Sequence, residues 1–318
     1  LNVLSDGLCD NFHFPLFFIR SDGLFMTQTP ALKQITLIGV GLIGGSFVLD
    51  LKRQGLVEKV VGIDLDADNL ARALERKVID EAFEEINAQS VGGADWVLIA
   101  TPVATLPHIC RQLAPLLSAH TIVSDVGSTK QSALAAFAEH LGAHLPRCVA
   151  AHPIAGSDRH GALAAQFGLY QDKKLIICPH AQQDAGALET VETLWQAVGA
   201  HTYRMSAATH DAIFAAVSHM PHMLAYAYVH QIAEHPDGQT YLDFAASGFR
   251  DFTRIASSHP AIWTDICMAN KDSLLDLLAG QQQALAYLQN LLQSNDADAL
   301  YRYFEEAQHT RDDWQARQ

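Results

Sequence analysis

Basic side chains are few. Lysine and arginine together number 21 against 35 aspartates and glutamates, a formal net charge of −14. Sequence-independent binding to nucleic acid needs the opposite balance, so nucleic acid is not expected as a partner. An anionic small molecule would need a local cluster of Arg, His or backbone N–H groups. Long apolar runs are missing as well. Nothing approaches the ~18 residues of a membrane helix, and no membrane association is expected. The five cysteines (Cys9, Cys110, Cys148, Cys178, Cys267) are scattered, odd in number and without metal-ligand spacing. They read as reduced thiols of a cytoplasmic protein, and no metal site is expected. Internal repeats and low-complexity tracts are lacking too.

What is there suffices for a sizeable core and two domains: 318 residues, 49% hydrophobic and 18% charged. The N-terminal stretch contains a short apolar segment, Phe14 to Ile19, with no basic residue before it, which makes a poor signal peptide. A clean fold pattern begins only after Met26. Residues 1–25 are therefore expected to be a start-site extension, residues 26–205 a first domain and residues 206–318 a second.

The first domain opens with a buried-strand pattern, Ile35 to Ile38, followed by Gly39, Gly41 and Gly44 as G-x-G-x-x-G. An amphipathic helix follows and stops near Gly55, and a second strand, Val60 to Ile63, closes with Asp64. Each part has a mechanical reason. Gly39 permits a tight turn, Gly41 lets a pyrophosphate approach the backbone, and Gly44 allows close helix–strand packing. The helix start, with Leu42 and Ile43, offers free N–H groups and the positive end of the dipole. Asp64, 20 residues beyond Gly44, stands where a carboxylate accepts hydrogen bonds from an adenosine ribose. With Asp66 and Asp68 just beyond and no Arg or Lys nearer than Arg72, charge favours NAD over NADP.

Alternation continues through strands in Ala94–Val103, His120–Lys130, Arg147–Pro153 and Lys174–Pro179, a helix over Ala187–Val198, and a last strand at His201–Ser206. This predicts a doubly wound, mostly parallel α/β sheet, with ligands at the carboxyl ends of its strands. Three such ends carry Thr101-Pro102, the Asp125–Ser128 turn and His152. His152 precedes a proline and glycines at a turn, so it is either a reagent or a polar residue at a bend.

From about Ser206 the pattern is helical throughout. Ile213, Phe214, Val217, Met220, Leu224 and Val229 are expected to fill one core face, and Pro221 to kink or break the helix. Ser218 and His222 are four apart and share a face. His219 reads as a satisfied polar residue at a helix contact, while His222 stays open. Arg250 and Arg254, also four apart, sit beside aromatics and Trp263 and suit a carboxylate, or Arg250 pairs with Asp251 at the surface. Further amphipathic helices run through Leu274–Leu278, Ala284–Leu292 and Leu300–Ala307. Such an all-helical part commonly supplies a dimer interface and a pocket wall.

Five stretches in order, "GVGLIGGS", "SDVGSTK", "HPIAGSDRHG", "HDAIFAAVSHMPH" and "GFRDFTRIA…W", resemble the prephenate dehydrogenase family, which includes the cyclohexadienyl and arogenate dehydrogenases. The resemblance implies a decarboxylating dehydrogenase of tyrosine biosynthesis, using NAD or NADP. It implies a Rossmann-type dinucleotide-binding domain followed by an all-helical dimerisation domain, and hence a homodimer. By position, His152 matches the catalytic histidine that bonds the substrate's C4 hydroxyl, and Ser128 the serine that helps orient it. Arg254 matches the arginine for a substrate carboxylate, and His222 and Ser218 match residues near the substrate side chain. Trp263 and Arg250 match pocket or supporting positions, and Asp158 stands where many relatives have Glu. His222 favours prephenate over arogenate. No fused mutase or regulatory domain is expected on either flank, and any tyrosine inhibition is expected at the active site. A rival reading, a 3-hydroxyacid-type dehydrogenase, would need a lysine base in the helical half, where Lys271 is the only lysine. A non-catalytic NAD-binding regulator would not need Ser128, His152, His222 and Arg254 together.

Overall fold

The computed structural model describes residues 32–156 and 161–317. Residues 1–25 and Asp158 lie outside the described residues. Eight strands form one sheet: β1 (Leu32–Ile38), β2 (Val57–Ile63), β3 (Glu81–Phe83), β4 (Trp96–Ile99), β5 (Ile122–Asp125), β6 (Cys148–Pro153), β7 (Lys174–Cys178) and β8 (His201–Arg204). Their order is β3-β2-β1-β4-β5-β6-β7-β8, so the chain reverses its direction of growth between β1 and β4. A crevice opens at such a switch point, outside the carboxyl ends of the strands.

The sheet is buried on both faces, which is why its strands read as nearly continuous apolar runs. Successive residues pack to opposite sides. Leu37 and Leu98 join a cluster with Phe47, Trp96 and Trp195, whereas Ile38, Val97 and Ile99 join one with Phe137 and Leu113. Phe47 stacks on Trp195 at 4.1 Å and meets Trp96 edge-on at 5.4 Å, which ties the helix Leu42–Arg53 to the sheet. That helix ends as expected, with Gly55 at φ 68° just past its last turn.

Two features of the sheet escaped the pattern. β3 is a three-residue edge strand, too short and too polar to register. β7 runs antiparallel to β6, and among the described residues of 154–173 the connection holds a 3-10 turn, Ala162–Ala164, and no crossover helix of the kind a parallel return needs.

In the second half, Ala207–Phe214 and Met220–Glu234 form one continuous rod joined by a π turn, Ala215–His219. Pro221 therefore neither breaks nor ends the helix. It falls in the first turn after the wide π turn, where its missing N–H and its ring are accommodated. Met220 is buried and Phe214, Leu224 and Val229 are partly buried, but Ile213 and Val217 are exposed, contrary to expectation. The buried face of the first turns is taken by His210, Asp211 and Ala215 instead. A hydrophobic pattern assigns a His-Asp pair to solvent and so rotates the helix wrongly. Then follow Gly238–Asp243, Ser247–Thr253, Pro260–Ala269 and two long helices, Lys271–Gln293 and Ala297–Gln315. Among the described residues, no helix is long and apolar enough to cross a membrane.

Candidate active site

The glycine loop after β1 has the shape a dinucleotide needs. Gly39 has φ 87°, and a Cβ there would lie 2.7 Å from the Ala100 carbonyl oxygen and 2.8 Å from Thr101 Cγ2. Gly44 is tighter still against Leu37 and Ala100, so it sets the distance from helix to sheet. Gly41 is different, since a Cβ there meets nothing within 4 Å and the space above it is open. The helix beginning at Leu42 has no side-chain cap and no acidic residue in its first turn. Its free N–H groups therefore remain available to an anion. At the end of β2, Asp64 accepts from Val40 N–H at 2.9 Å and from Asn69 Nδ2 at 3.1 Å, which fixes the carboxylate beside the loop. Thr101 packs next to Gly39, with its hydroxyl 2.7 Å from that of Thr105; Pro102 follows and is exposed. These residues fit the adenosine and pyrophosphate of a dinucleotide.

Adjacent strand ends carry the rest. Ser128 is half-buried on the loop after β5, and His152 is half-buried near the end of β6. Between them lies a buried ion pair, Lys130 Nζ with Asp125 Oδ2, in which the same ammonium donates to the Ala151 carbonyl at 2.6 Å. The hydrogen bond that holds the His152 ring is made with His210 rather than with Ser128: His152 Nδ1 lies 2.9 Å from His210 Nε2. His210 Nδ1 in turn lies 2.8 Å from Asp211 Oδ1. Phe214 walls both rings, at 5.0 Å from His152 and 4.5 Å from His210.

Burial, Lys130, His210 and His219 all push the His152 ring well below the ordinary imidazole value, so it is neutral at neutral pH. Burial would raise the Asp211 carboxyl, but the His210 ring and the backbone N–H groups of Lys130 and Gln131 outweigh it and the net direction is down. Burial also lowers His210, with Asp211 offsetting it only in part.

The helical half closes the other side. Trp263 sits on the helix Pro260–Ala269, which packs against the turn Val103–Thr105 that follows β4. His222 stacks on Trp263 at 3.4 Å and is held by the Ser218 carbonyl at 2.8 Å. Burial lowers His222, and the Arg254 charge nearby adds to this. Arg250 and Arg254 line one open cleft with Phe249 and Ser257, and among the described residues neither pairs with a carboxylate. The surface reading of Arg250 with Asp251 is therefore not what forms. His219 is not a satisfied contact residue: it bonds Asn270 through Nδ1 at 3.3 Å, but its buried Nε2 has no partner among the described residues. Lys271, the base that the 3-hydroxyacid reading requires, is exposed at the start of its helix, and no hydrogen bond or ion pair ties its side chain to this cluster among the described residues.

The family model for the prephenate dehydrogenase nucleotide-binding domain matches residues 47–204, and that for the prephenate dehydrogenase dimerization domain matches residues 206–306. A prephenate dehydrogenase of Bacillus subtilis is 36% identical over 287 residues, covering 89% of this chain and 76% of the relative. The chain belongs to the prephenate dehydrogenase family. A cyclohexadienyl dehydrogenase of Zymomonas mobilis is 32% identical, over 88% of this chain and 95% of its own length. The crystal structure of the prephenate dehydrogenase of A. aeolicus, in complex with hydroxyphenyl propionate and NAD+, superposes with a TM-score of 0.82 at 32% identity, covering 91% of this chain and 99% of that one.

For this member of the family, the pattern of residues pointed to His152, His222, Trp263 and Arg254 and missed four others. Lys130, His210, Asp211 and Asn270 are buried polar groups that organise the cluster. The signals were present as an Asp and a Lys five apart around a Gly-Ser turn, and as consecutive His and Asp at the start of an apolar helix.

Proposed function

We propose that this chain catalyses the NAD-dependent oxidative decarboxylation of prephenate to 4-hydroxyphenylpyruvate, as a homodimer in the cytoplasm. The observation that carries this is a neutral imidazole, His152, beside the nucleotide-binding strand ends. It is bonded to His210 of the helical half, and its pKa is lowered by burial and by neighbours that include His219, whose ring lies 6.2 Å from the Trp263 on which His222 stacks. Bound NAD supplies the acceptor for a hydride from C4 of the substrate. His152 accepts the hydrogen bond of the C4 hydroxyl and strengthens it as the C–O bond shortens. Ser128 stands beside that hydroxyl. Arg254, with Arg250 near it, holds a carboxylate by charge-assisted bonds, while His222, Ser218 and Trp263 form the wall against the side chain. Gly39, Gly41, Leu42, Ile43 and Gly44 hold the pyrophosphate, Asp64 the ribose, and Thr101 and Pro102 border the nicotinamide. A 2′-phosphate would meet the Asp64 carboxylate, which supports NAD over NADP. Ile213, Val217, Met268, Leu275 and Leu292 expose apolar surface in the half that matches the dimerization domain, and a second copy would cover it.

Initial rates of NADH or NADPH formation, with prephenate and with arogenate, each with NAD and with NADP, test this directly. The expected result is strong activity on prephenate with NAD. Comparable rates on both substrates would support a broad cyclohexadienyl dehydrogenase, the second reading, which the Zymomonas relative favours. Activity on arogenate alone would overturn the side-chain assignment. Arg254→Gln is expected to raise KM for prephenate by about 10- to 10²-fold, the scale of a lost hydrogen bond to a charged group, with a smaller effect on kcat. Arg254→Lys restores only part, because an ammonium lacks the planar fork. An unchanged KM would remove Arg254 from the pocket.

A further inference from the structure

The hydrogen-bond chain beginning at Asp211 has a direction, and that direction decides which nitrogen of His152 is free. Asp211 is wholly buried, and the groups at its carboxylate are donors: Lys130 N–H at 2.8 Å, Gln131 N–H at 2.9 Å and His210 Nδ1 at 2.8 Å. A carboxylate only accepts, so the His210 proton sits on Nδ1. In a neutral His210 the other nitrogen, Nε2, then carries a lone pair. That atom lies 2.9 Å from His152 Nδ1, which must donate to it. Nε2 of His152 is left with its lone pair unused among the described residues.

We propose that the buried His210–Asp211 pair is a positioning element that holds His152 as the Nδ1–H tautomer, leaving Nε2 as the atom that accepts the substrate hydroxyl proton. The opposite polarity would require His210 to carry both ring protons. The charged and titratable groups facing it are Lys130 and Asp125 from the β5 loop, His152 from β6, and Asp211 and His219 on its own rod. Burial and Lys130 oppose a charge there more than the two aspartates favour it.

The identity of the hydroxyl rests on the proposed function; the tautomer does not. As hydride leaves C4, the hydroxyl proton moves to His152 Nε2, and the imidazolium so formed donates through Nδ1 to His210, whose far side faces the Asp211 carboxylate. When the C1–carboxylate bond breaks, its electron pair aromatises the ring. The oxygen then recovers its proton as a phenol, and His152 is neutral again. One hydride and one CO₂ leave, and no net proton is consumed.

The first measurement is the nitrogen spectrum of ¹⁵N-histidine-labelled wild-type protein at neutral pH, with His152 assigned by its loss in His152→Asn. A protonated Nδ1 and an unprotonated Nε2 are expected. A proton on Nε2, or a doubly protonated ring, overturns the proposal. The second is His210→Phe, which keeps an aromatic ring against Phe214. Its kcat on prephenate should fall about 10²-fold with KM little changed, the scale for loss of a group that orients a catalytic histidine. Its His152 spectrum should become a tautomer mixture. Wild-type kcat in folded His210→Phe overturns the proposal, and if that variant does not fold, the wild-type spectrum decides alone. An Nδ1–H tautomer in a protein without activity on any cyclohexadiene would overturn the functional reading and support the tautomer assignment, so the two failures are distinct.

Discussion

Replacing His152 by Asn lowers kcat on prephenate by about 10²- to 10³-fold, within the usual range for a positioned acid–base group, and leaves KM for NAD unchanged. Asparagine keeps a donor and an acceptor of similar reach but cannot take up a proton. Because burial, Lys130, His210 and His219 hold the wild-type ring well below the ordinary imidazole value of 6.5, the acid limb of its kcat profile lies below that value. The sign follows from the requirement for a neutral base: a depressed pKa extends activity toward acid. Such a base holds a proton only briefly, which suits a reaction whose phenol product keeps the hydroxyl hydrogen. Steady-state rates of NADH formation across pH check both statements. Near-normal turnover in the variant, or an acid limb above 6.5 in the wild type, would make His152 a polar residue at a bend.

Lys130→Met is expected to cost about 3–5 kcal/mol, the penalty for leaving one partner of a buried ion pair alone. Lys130 and Asp125 are both buried, and without the ammonium Asp125 keeps, among the described residues, the N–H groups of Gly127 at 2.9 Å and Ala151 at 3.3 Å. Thermal unfolding at one fixed protein concentration should show a fall of about 10 °C. Lys130→Met combined with Asp125→Leu should recover much of it, since an apolar pair of matching size removes the stranded charge. A single variant as stable as the wild type would show that Asp125 finds another partner or a proton.

Much of the first half was legible because its strands are buried on both faces. Runs such as Ile35–Ile38 and Val60–Ile63 can only be strands when glycines and a helix follow on schedule. The antiparallel β7 was not legible, because a strand's direction is set by the connection that leads into it, not by its own residues. Of the candidate site, His152 stood out through the proline and glycines beside it, and Arg254 through its place in an acidic chain. His210 and Asp211 did not stand out, because their importance lies in a 2.9 Å contact with a residue 58 positions away. Periodicity places residues on faces of one helix. It cannot see that a polar pair on the inward face is satisfied by the start of the helix Gln131–His140 and by another histidine.

The bond between His152 and His210 joins a side chain carried by the sheet to one carried by the helical rod. The helical half therefore contributes more than a pocket wall and a contact surface. Anyone grafting a foreign helical half onto this nucleotide half, to redirect the enzyme toward another ring acid, would also be replacing the part that orients its base. A chimera lacking a histidine followed by an aspartate one residue after it, at the head of that rod, would bind both ligands and turn over slowly, however well its pocket were shaped.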